Sequence, residues 1–174
     1  MDTIQKTEQF IVPTYARQPL ALVSGKGSLL YDEAGKEYID LGSGIAVNVF
    51  GVGDAQWQQA VCQQAGKLQH CSNYYYSQPQ AELAELLCQK SGMKNVFFSN
   101  SGAEANECAI KAARKYSADK YGPDRYTIIT LESSFHGRTM ATLSATGQES
   151  LHVHFDPFLQ GFVRYHYPGR VYRG

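Results

Sequence analysis

The 174-residue sequence predicts an α/β fold with an open sheet. Two tandem units carry this expectation, each an apolar or β-branched strand that runs through a turn into a helix, one starting at Val96 and the other at Tyr126. Amphipathic helices ahead of them and a hairpin near the N-terminus complete the pattern. Open α/β sheets bind ligands outside the carboxyl ends of their strands, so both turns are expected on one edge.

In chain order, residues 1–19 read as an arm with Pro13 and Pro19 and no sustained periodicity. Leu29-Leu30-Tyr31-Asp32 and Tyr38-Ile39-Asp40-Leu41 alternate as strands do, and Ala34-Gly35 supplies the turn between them. In Val52-Gly53-Asp54-Ala55, Gly53 tolerates unusual dihedrals and Asp54 can cap a helix in which Trp57, Ala60, Val61 and Leu68 recur at helical spacing. Ser77-x-x-Gln80 can cap a second helix carrying Leu83, Leu86 and Leu87 up to Gly92. Between them, Tyr74, Tyr75 and Tyr76 suit half-buried packing with their hydroxyls in water.

Residues 96–116, VFFSNSGAEANECAIKAARKY, are the most informative stretch. Val96, Phe97 and Phe98 suit a buried strand, and Ser101-Gly102-Ala103-Glu104 fits a capping box, so a helix is expected to start there. Its first N–H groups have no intrahelical acceptor, and the helix dipole adds partial positive charge. Gly102 and Ala103 carry too little side chain to screen those amides, so the turn is a candidate seat for a phosphate. Ala109, Ala112, Ala113 and Tyr116 mark the packed face of the helix, with Lys111, Arg114 and Lys115 largely opposite. An ordinary capped helix after a strand explains this segment as well. The second unit narrows the choice: YTIITL leads through Glu132-Ser133-Ser134 into Phe135-His136-Gly137-Arg138-Thr139 and another helix, placing Phe135, His136 and Arg138 near the same edge.

Composition bounds the functional classes. Sixteen basic and sixteen acidic residues cancel, so any attraction for an anion is local, and no general affinity for nucleic acid or membrane is expected. No apolar run approaches the roughly 18 residues of a membrane helix, and the first nine residues lack a signal-peptide core, which points to the cytosol. The four cysteines form no C-x-x-C pair, Cys88 and Cys108 suit apolar helix faces, and neither His70-Cys71 nor His152-Val153-His154 has zinc-site spacing, so no metal is expected.

NSGAEANE, SFHGRT and, upstream, SGIAVNVFG together resemble the pyridoxal-phosphate-dependent class III aminotransferases, from about Phe10 to Val163. The resemblance implies part of an aspartate-aminotransferase-type fold (pyridoxal-phosphate fold type I). Residues 1–50 would be the N-terminal arm and hairpin, residues 51–163 the first half of the large cofactor domain, and residues 164–174 a tail. It implies that Ser101, Gly102 and Ala103 bind the phosphate of pyridoxal 5'-phosphate, that Phe135 stacks on its pyridine ring, and that Arg138 receives a substrate carboxylate. His136 is given no catalytic role. Within the class the sequence most resembles the branch that exchanges an amino group between N-acetylornithine and 2-oxoglutarate in arginine biosynthesis. Branches acting on ornithine, 4-aminobutyrate or succinylornithine remain alternatives. A homodimer is implied, with the arm and the Tyr74–Tyr76 stretch near the partner; a small-molecule amino donor and a 2-oxo acid are the other expected partners.

The family's Schiff-base lysine and its ring-nitrogen aspartate both lie downstream of these motifs. None of the nine lysines here sits in a matching setting, so no catalytic residue is assigned and the chain is expected to be inactive alone. Where relatives continue with an aromatic-Asn-Asp segment, residues 164–174 read RYHYPGRVYRG, with three arginines, three tyrosines and no acid. An interrupted reading frame explains such a tail more simply than a nucleic-acid platform, which eleven residues without a fold make poorly. A non-catalytic remnant is therefore a further alternative.

Overall fold

The computed structural model describes residues 1–166. Most of the basic-aromatic run, residues 167–174, lies outside them. The chain divides into two compact units, one comprising Met1–Ser77 and the other beginning at Gln78.

The first unit opens with helix α1 (Thr3–Phe10), where the sequence suggested an arm without periodicity. A capping box explains it: Asp2 Oδ1 accepts from Gln5 N–H at 2.8 Å, and Gln5 Oε1 accepts from Asp2 N–H at 3.0 Å. Next comes an antiparallel sheet of β1 (Leu22–Lys26), β2 (Leu29–Asp32) and β3 (Glu37–Ile39), in that order. The expected hairpin is β2–β3, with Leu29 opposite Ile39 and Tyr31 opposite Glu37; β1 adds a strand that alternation did not reveal.

One side chain organises the hairpin turn. Asp32 Oδ1 accepts from the N–H groups of Ala34 and Lys36, each at 2.9 Å, and its Oδ2 accepts from Tyr38 Oη at 2.8 Å. These bonds, led by that from the Lys36 backbone, hold the Asp32 carboxyl below its ordinary range. Residues after β3 return to the sheet, where Gly27 and Val52 exchange a pair of backbone bonds at 2.8 and 2.9 Å.

Between those points lies a short turn, α2 (Ser43–Ala46), whose backbone is left-handed at Ser43, Gly44, Ile45 and Ala46. Helix α3 (Ala55–Lys67) begins as expected at Asp54, whose Oδ1 accepts from Trp57 N–H at 2.8 Å. Tyr74, Tyr75 and Tyr76 are exposed.

The second unit contains α4 (Gln78–Ser91), α5 (Gly102–Tyr121), β4 (Ile128–Leu131), α6 (Met140–Ala145), a single 3-10 turn (Glu149–Leu151) and β5 (Phe162–Tyr165). Gly92, at φ 72°, ends α4 in the left-handed region that favours glycine. β4 and β5 run parallel, with Ile128 opposite Phe162 and Leu131 opposite Tyr165, so the first residues of the basic-aromatic run complete a strand.

Residues 96–98 form no strand, contrary to expectation. A strand exists through its neighbour, and among the described residues none pairs with this segment, where Phe97 remains exposed. The core of the unit is small: Ile110 of α5 with Leu143 and Ala145 of α6, alongside the buried hydroxyl residues Thr130, Thr142, Ser144 and Thr146. Serine and threonine inside a core need partners, and most have them. Ser144 Oγ donates to Met140 O at 2.7 Å and accepts from Leu159 N–H at 3.0 Å.

Replacing Asp54 by alanine removes one of the bonds to the first turn of α3. The expected loss is about 1 kcal/mol of local helix stability, read as faster hydrogen exchange at the Trp57 amide with the β2–β3 amides unaffected.

Candidate active site

The site grows from the start of α5. Ser101 is its N-cap, with extended backbone and with Oγ accepting from Glu104 N–H at 3.2 Å. The Ser101 hydroxyl donates in turn to Glu104 Oε2 at 3.1 Å, and Asn100 Nδ2 donates to Glu104 Oε1 at 3.2 Å. The Asn100 amide first, then the Ser101 hydroxyl, hold the Glu104 carboxyl below its usual range. With the hydroxyl committed to the cap, the donors left at this helix end are main-chain. The N–H groups of Gly102 and Ala103 meet no acceptor among the described residues. A side chain at Gly102 would find nothing within 4 Å, so no protein atom crowds that side of the helix end.

The second turn docks on this helix end. Gly137 is buried with φ 132°, and a Cβ built there would stand 2.7 Å from Ala103 Cβ and 2.6 Å from Thr142 Oγ1. Only glycine fits that approach. Two bonds from α5 fix the register: Asn106 Nδ2 donates to His136 O at 2.8 Å, and Glu107 Oε1 accepts from Thr139 Oγ1 at 2.5 Å. From the other side Thr146 Oγ1 accepts from His136 N–H at 3.0 Å and donates to Gly137 O at 3.1 Å. Thr142 closes the start of α6, accepting from Thr139 N–H at 3.1 Å.

The structure thus brings the two sequence motifs together, Ser101, Gly102 and Ala103 in one and Phe135 through Arg138 in the other. Phe135, 55% exposed, precedes the docked segment with its ring available, and Arg138 follows on the exposed side. His136 is more enclosed, its Nε2 buried without a partner among the described residues. The supporting residues Asn106, Glu107, Thr142 and Thr146 were not singled out from the sequence. Thr142 and Thr146, one turn apart on an otherwise small and apolar face, carry a signal of their own, whereas the adjacent Asn106 and Glu107 carry none.

Chemically, the arrangement offers an anion two bare N–H donors at the positive end of a 20-residue helix, beside a turn bearing an aromatic face and a guanidinium. A phosphate fits the donors, and a flat heteroaromatic ring suits an aromatic neighbour. Among the described residues no group of His, Cys, Asp and Glu is placed to hold a metal ion, and no helix is long and apolar enough to cross a membrane.

This pairing of helix end and turn is carried by a chain that belongs to the class III aminotransferases: the family profile, described as Aminotransferase class-III, matches residues 11–173. The family is one of pyridoxal-phosphate-dependent transferases, and the chain is part of an aspartate-aminotransferase-type fold.

Among individual proteins, it is similar to the acetylornithine aminotransferase of Haemophilus ducreyi, with 55% identity over 91% of this chain and 40% of the relative. The acetylornithine aminotransferase of Wolinella succinogenes is 52% identical over 90% of this chain and 40% of the relative. In structure it resembles the ornithine aminotransferase of Toxoplasma gondii, with a TM-score of 0.88 at 27% identity, covering 94% of this chain and 39% of that one. It also resembles a Bacillus anthracis aminotransferase, with a TM-score of 0.85 at 34% identity, covering 97% and 40%. The chain therefore spans about 40% of the length of the curated relatives it matches.

Two outcomes test this geometry. Gly137→Ala is expected to cost about 1–3 kcal/mol in denaturant unfolding, through the clash with Ala103 and Thr142 and the strained φ. Glu104 supplies the pH dependence of the helix end. Because its folded pKa is depressed, its stabilisation is complete above the ordinary value of 4.5 and is lost as pH falls through the lower folded value. Acid titration followed by amide exchange at Glu104 is expected to show the first turn fraying in that window, and Glu104→Gln to remove the dependence.

Proposed function

We propose that the protein transfers an amino group between N-acetylornithine and 2-oxoglutarate in arginine biosynthesis, working in the cytoplasm as a homodimer. The names of the two relatives at 55% and 52% identity support the choice of substrate. Because the chain spans about 40% of their length, the reaction is assigned to the whole protein, and to these residues only binding and orientation. The observation that supports the reading is the seating of Gly137 on Ala103, which brings the turn bearing Phe135 and Arg138 onto the helix end.

Bound pyridoxal phosphate supplies an electron sink for amino-group transfer. The Gly102 and Ala103 amides would hold its phosphate, with Ser101 capping the helix end that presents them. Phe135 would lie against its pyridine ring and keep water from that face. Arg138 pairs with a substrate carboxylate through two parallel N–H donors and so orients the amino donor. No residue of this chain is assigned the proton transfer, and turnover by these 174 residues alone is not expected. A second reading, action on free ornithine, draws on the likeness to the ornithine aminotransferase structure. Fragments of 4-aminobutyrate or succinylornithine enzymes, or a non-catalytic remnant, are less well supported by the relatives' names.

Pyridoxal phosphate titrated into the chain is expected to bind saturably in visible absorption, to be displaced by inorganic phosphate, and to remain unattached after borohydride treatment. Gly102→Val is expected to weaken binding about tenfold or more by screening the amides. Absence of saturable binding overturns the seat, and a cofactor fixed to a single lysine overturns the inactivity. In the whole enzyme, Arg138→Lys is expected to raise KM for the amino donor about 10- to 100-fold with cofactor affinity unchanged.

A further inference from the structure

His152, one of the two histidines whose spacing suits no zinc site, is buried, with 9% of its surface exposed. Its Nε2 stands 3.1 Å from the main-chain oxygen of Leu143 in α6. A carbonyl oxygen only accepts, so Nε2 carries a proton and donates it. The last carbonyls of a helix lack intrahelical donors, and a histidine that reaches one acts as a C-terminal cap. Leu143 O also accepts from Thr146 N–H at 3.1 Å, and its two lone pairs serve both donors.

The ring is held in turn from β5. Arg164 Nη2 lies 3.1 Å from His152 Nδ1 and 3.4 Å from its Nε2. Distances so nearly equal to two nitrogens of one imidazole place the guanidinium nitrogen over the face of the ring, not on an in-plane lone pair. Phe158 packs against the same imidazole, with centroids 4.9 Å apart and planes tilted by 56°. A guanidinium stacked on this ring favours its neutral form, because a second positive charge there would repel the first.

We propose that His152 is a positioning residue: a neutral imidazole, protonated at Nε2 and gripped by Arg164, that fixes α6 and through it the turn bearing Phe135 and Arg138. The inference rests on the proposed role of that turn in holding cofactor and substrate. Helix α6 has six residues, too few to be stable without tertiary ties. Two side chains tie it to the segment that follows: His152 at Leu143 O, and Ser144, whose Oγ accepts from Leu159 N–H at 3.0 Å. Just beyond the helix, Thr146 Oγ1 accepts from His136 N–H at 3.0 Å and donates to Gly137 O at 3.1 Å. A shift of α6 therefore reaches the turn directly. Arg164 stands opposite Thr130 in the β4–β5 ladder, so one imidazole couples the sheet to the site. The first arginine of the basic-aromatic run is thus engaged inside the fold.

The test uses the full chain with nitrogen-15-labelled histidine. At neutral pH His152 is expected to show a protonated Nε2 and a bare Nδ1; an imidazolium, or a ring protonated at Nδ1, overturns the proposal. Arg164→Leu leaves the imidazole in place and is expected to shift both of its nitrogens while those of His70 stay unchanged. A His152 ring indifferent to Arg164→Leu overturns the grip.

The positioning role is read separately. His152→Phe keeps a ring without the donor, and His152→Gln keeps a donor near Nε2. The Phe variant is expected to speed hydrogen exchange at the His136 amide about three- to tenfold, the scale of one hydrogen bond, with the Glu104 amide of α5 unchanged, and the Gln variant to restore protection. Full protection in the Phe variant means that the ring only fills space, and overturns the role. Affinity for pyridoxal phosphate is expected to fall by the same factor in His152→Phe, while affinity for inorganic phosphate stays the same. Equal losses for both ligands also overturn the role, because they mean that the end of α5 has moved. If the unaltered chain binds no pyridoxal phosphate, the proposed function fails, and the ring-nitrogen and exchange measurements still decide the place of His152.

Discussion

The contact between Gly137 and Ala103 is the constraint on which the second unit depends. Neither residue has a side chain beyond a methyl group, so the turn after β4 can lie on the first turn of α5, and the Asn106 and Glu107 bonds then fix where it lies. The helix meanwhile keeps its first amides uncovered. A larger residue at either position would separate the turn from those amides, and the site would become two unrelated loops. Packing tolerance, more than any charged group, sets where the turn lies.

Hydroxyl residues do much of the work that apolar ones do in larger cores. Thr142, Thr146 and Ser144 are buried on or just beyond a six-residue helix, and each bonds to a nearby carbonyl or amide. Such bonds are directional, so they specify a single arrangement of the turn where a few methyl contacts would permit several. The cost is sensitivity: a buried hydroxyl deprived of its partner destabilises more than a missing methylene does.

Local signals were legible in the sequence and non-local ones less so. Asp54 and Ser101 cap helices as their spacing indicates, and the β2–β3 hairpin turns where alternation predicts. Its second strand, however, spans Glu37–Ile39 and not residues 38–41, because the Asp40 side chain turns to the Gly42 and Ser43 amides. The Asp2-x-x-Gln5 box is a signal of the same kind, masked by the prolines that follow it. Residues 96–98 have strand-like chemistry, but a strand also requires a partner, and no periodicity reports whether one is in reach. At the site, the motifs located the helix end and the turn. What holds them together, Asn106 reaching the His136 carbonyl 30 positions away, depends on tertiary contact that a single sequence does not display.

The left-handed turn at Ser43–Ala46 carries a different consequence. Three of its four residues have a Cβ, and each pays about 1–2 kcal/mol for its handedness. Ile45, 95% exposed, recovers none of that by burial. The turn is held by backbone bonds, from Ile45 and Ala46 N–H to Gly42 O and from Val47 and Asn48 N–H to Ser43 O, and by the Asp40 carboxylate, which accepts from the N–H groups of Gly42 and Ser43 at 3.0 and 2.7 Å. Asp40 therefore fixes the entrance to the turn, and the backbone bonds carry its opposite winding on to Val47, where the chain leaves in a direction an ordinary helical turn would not give.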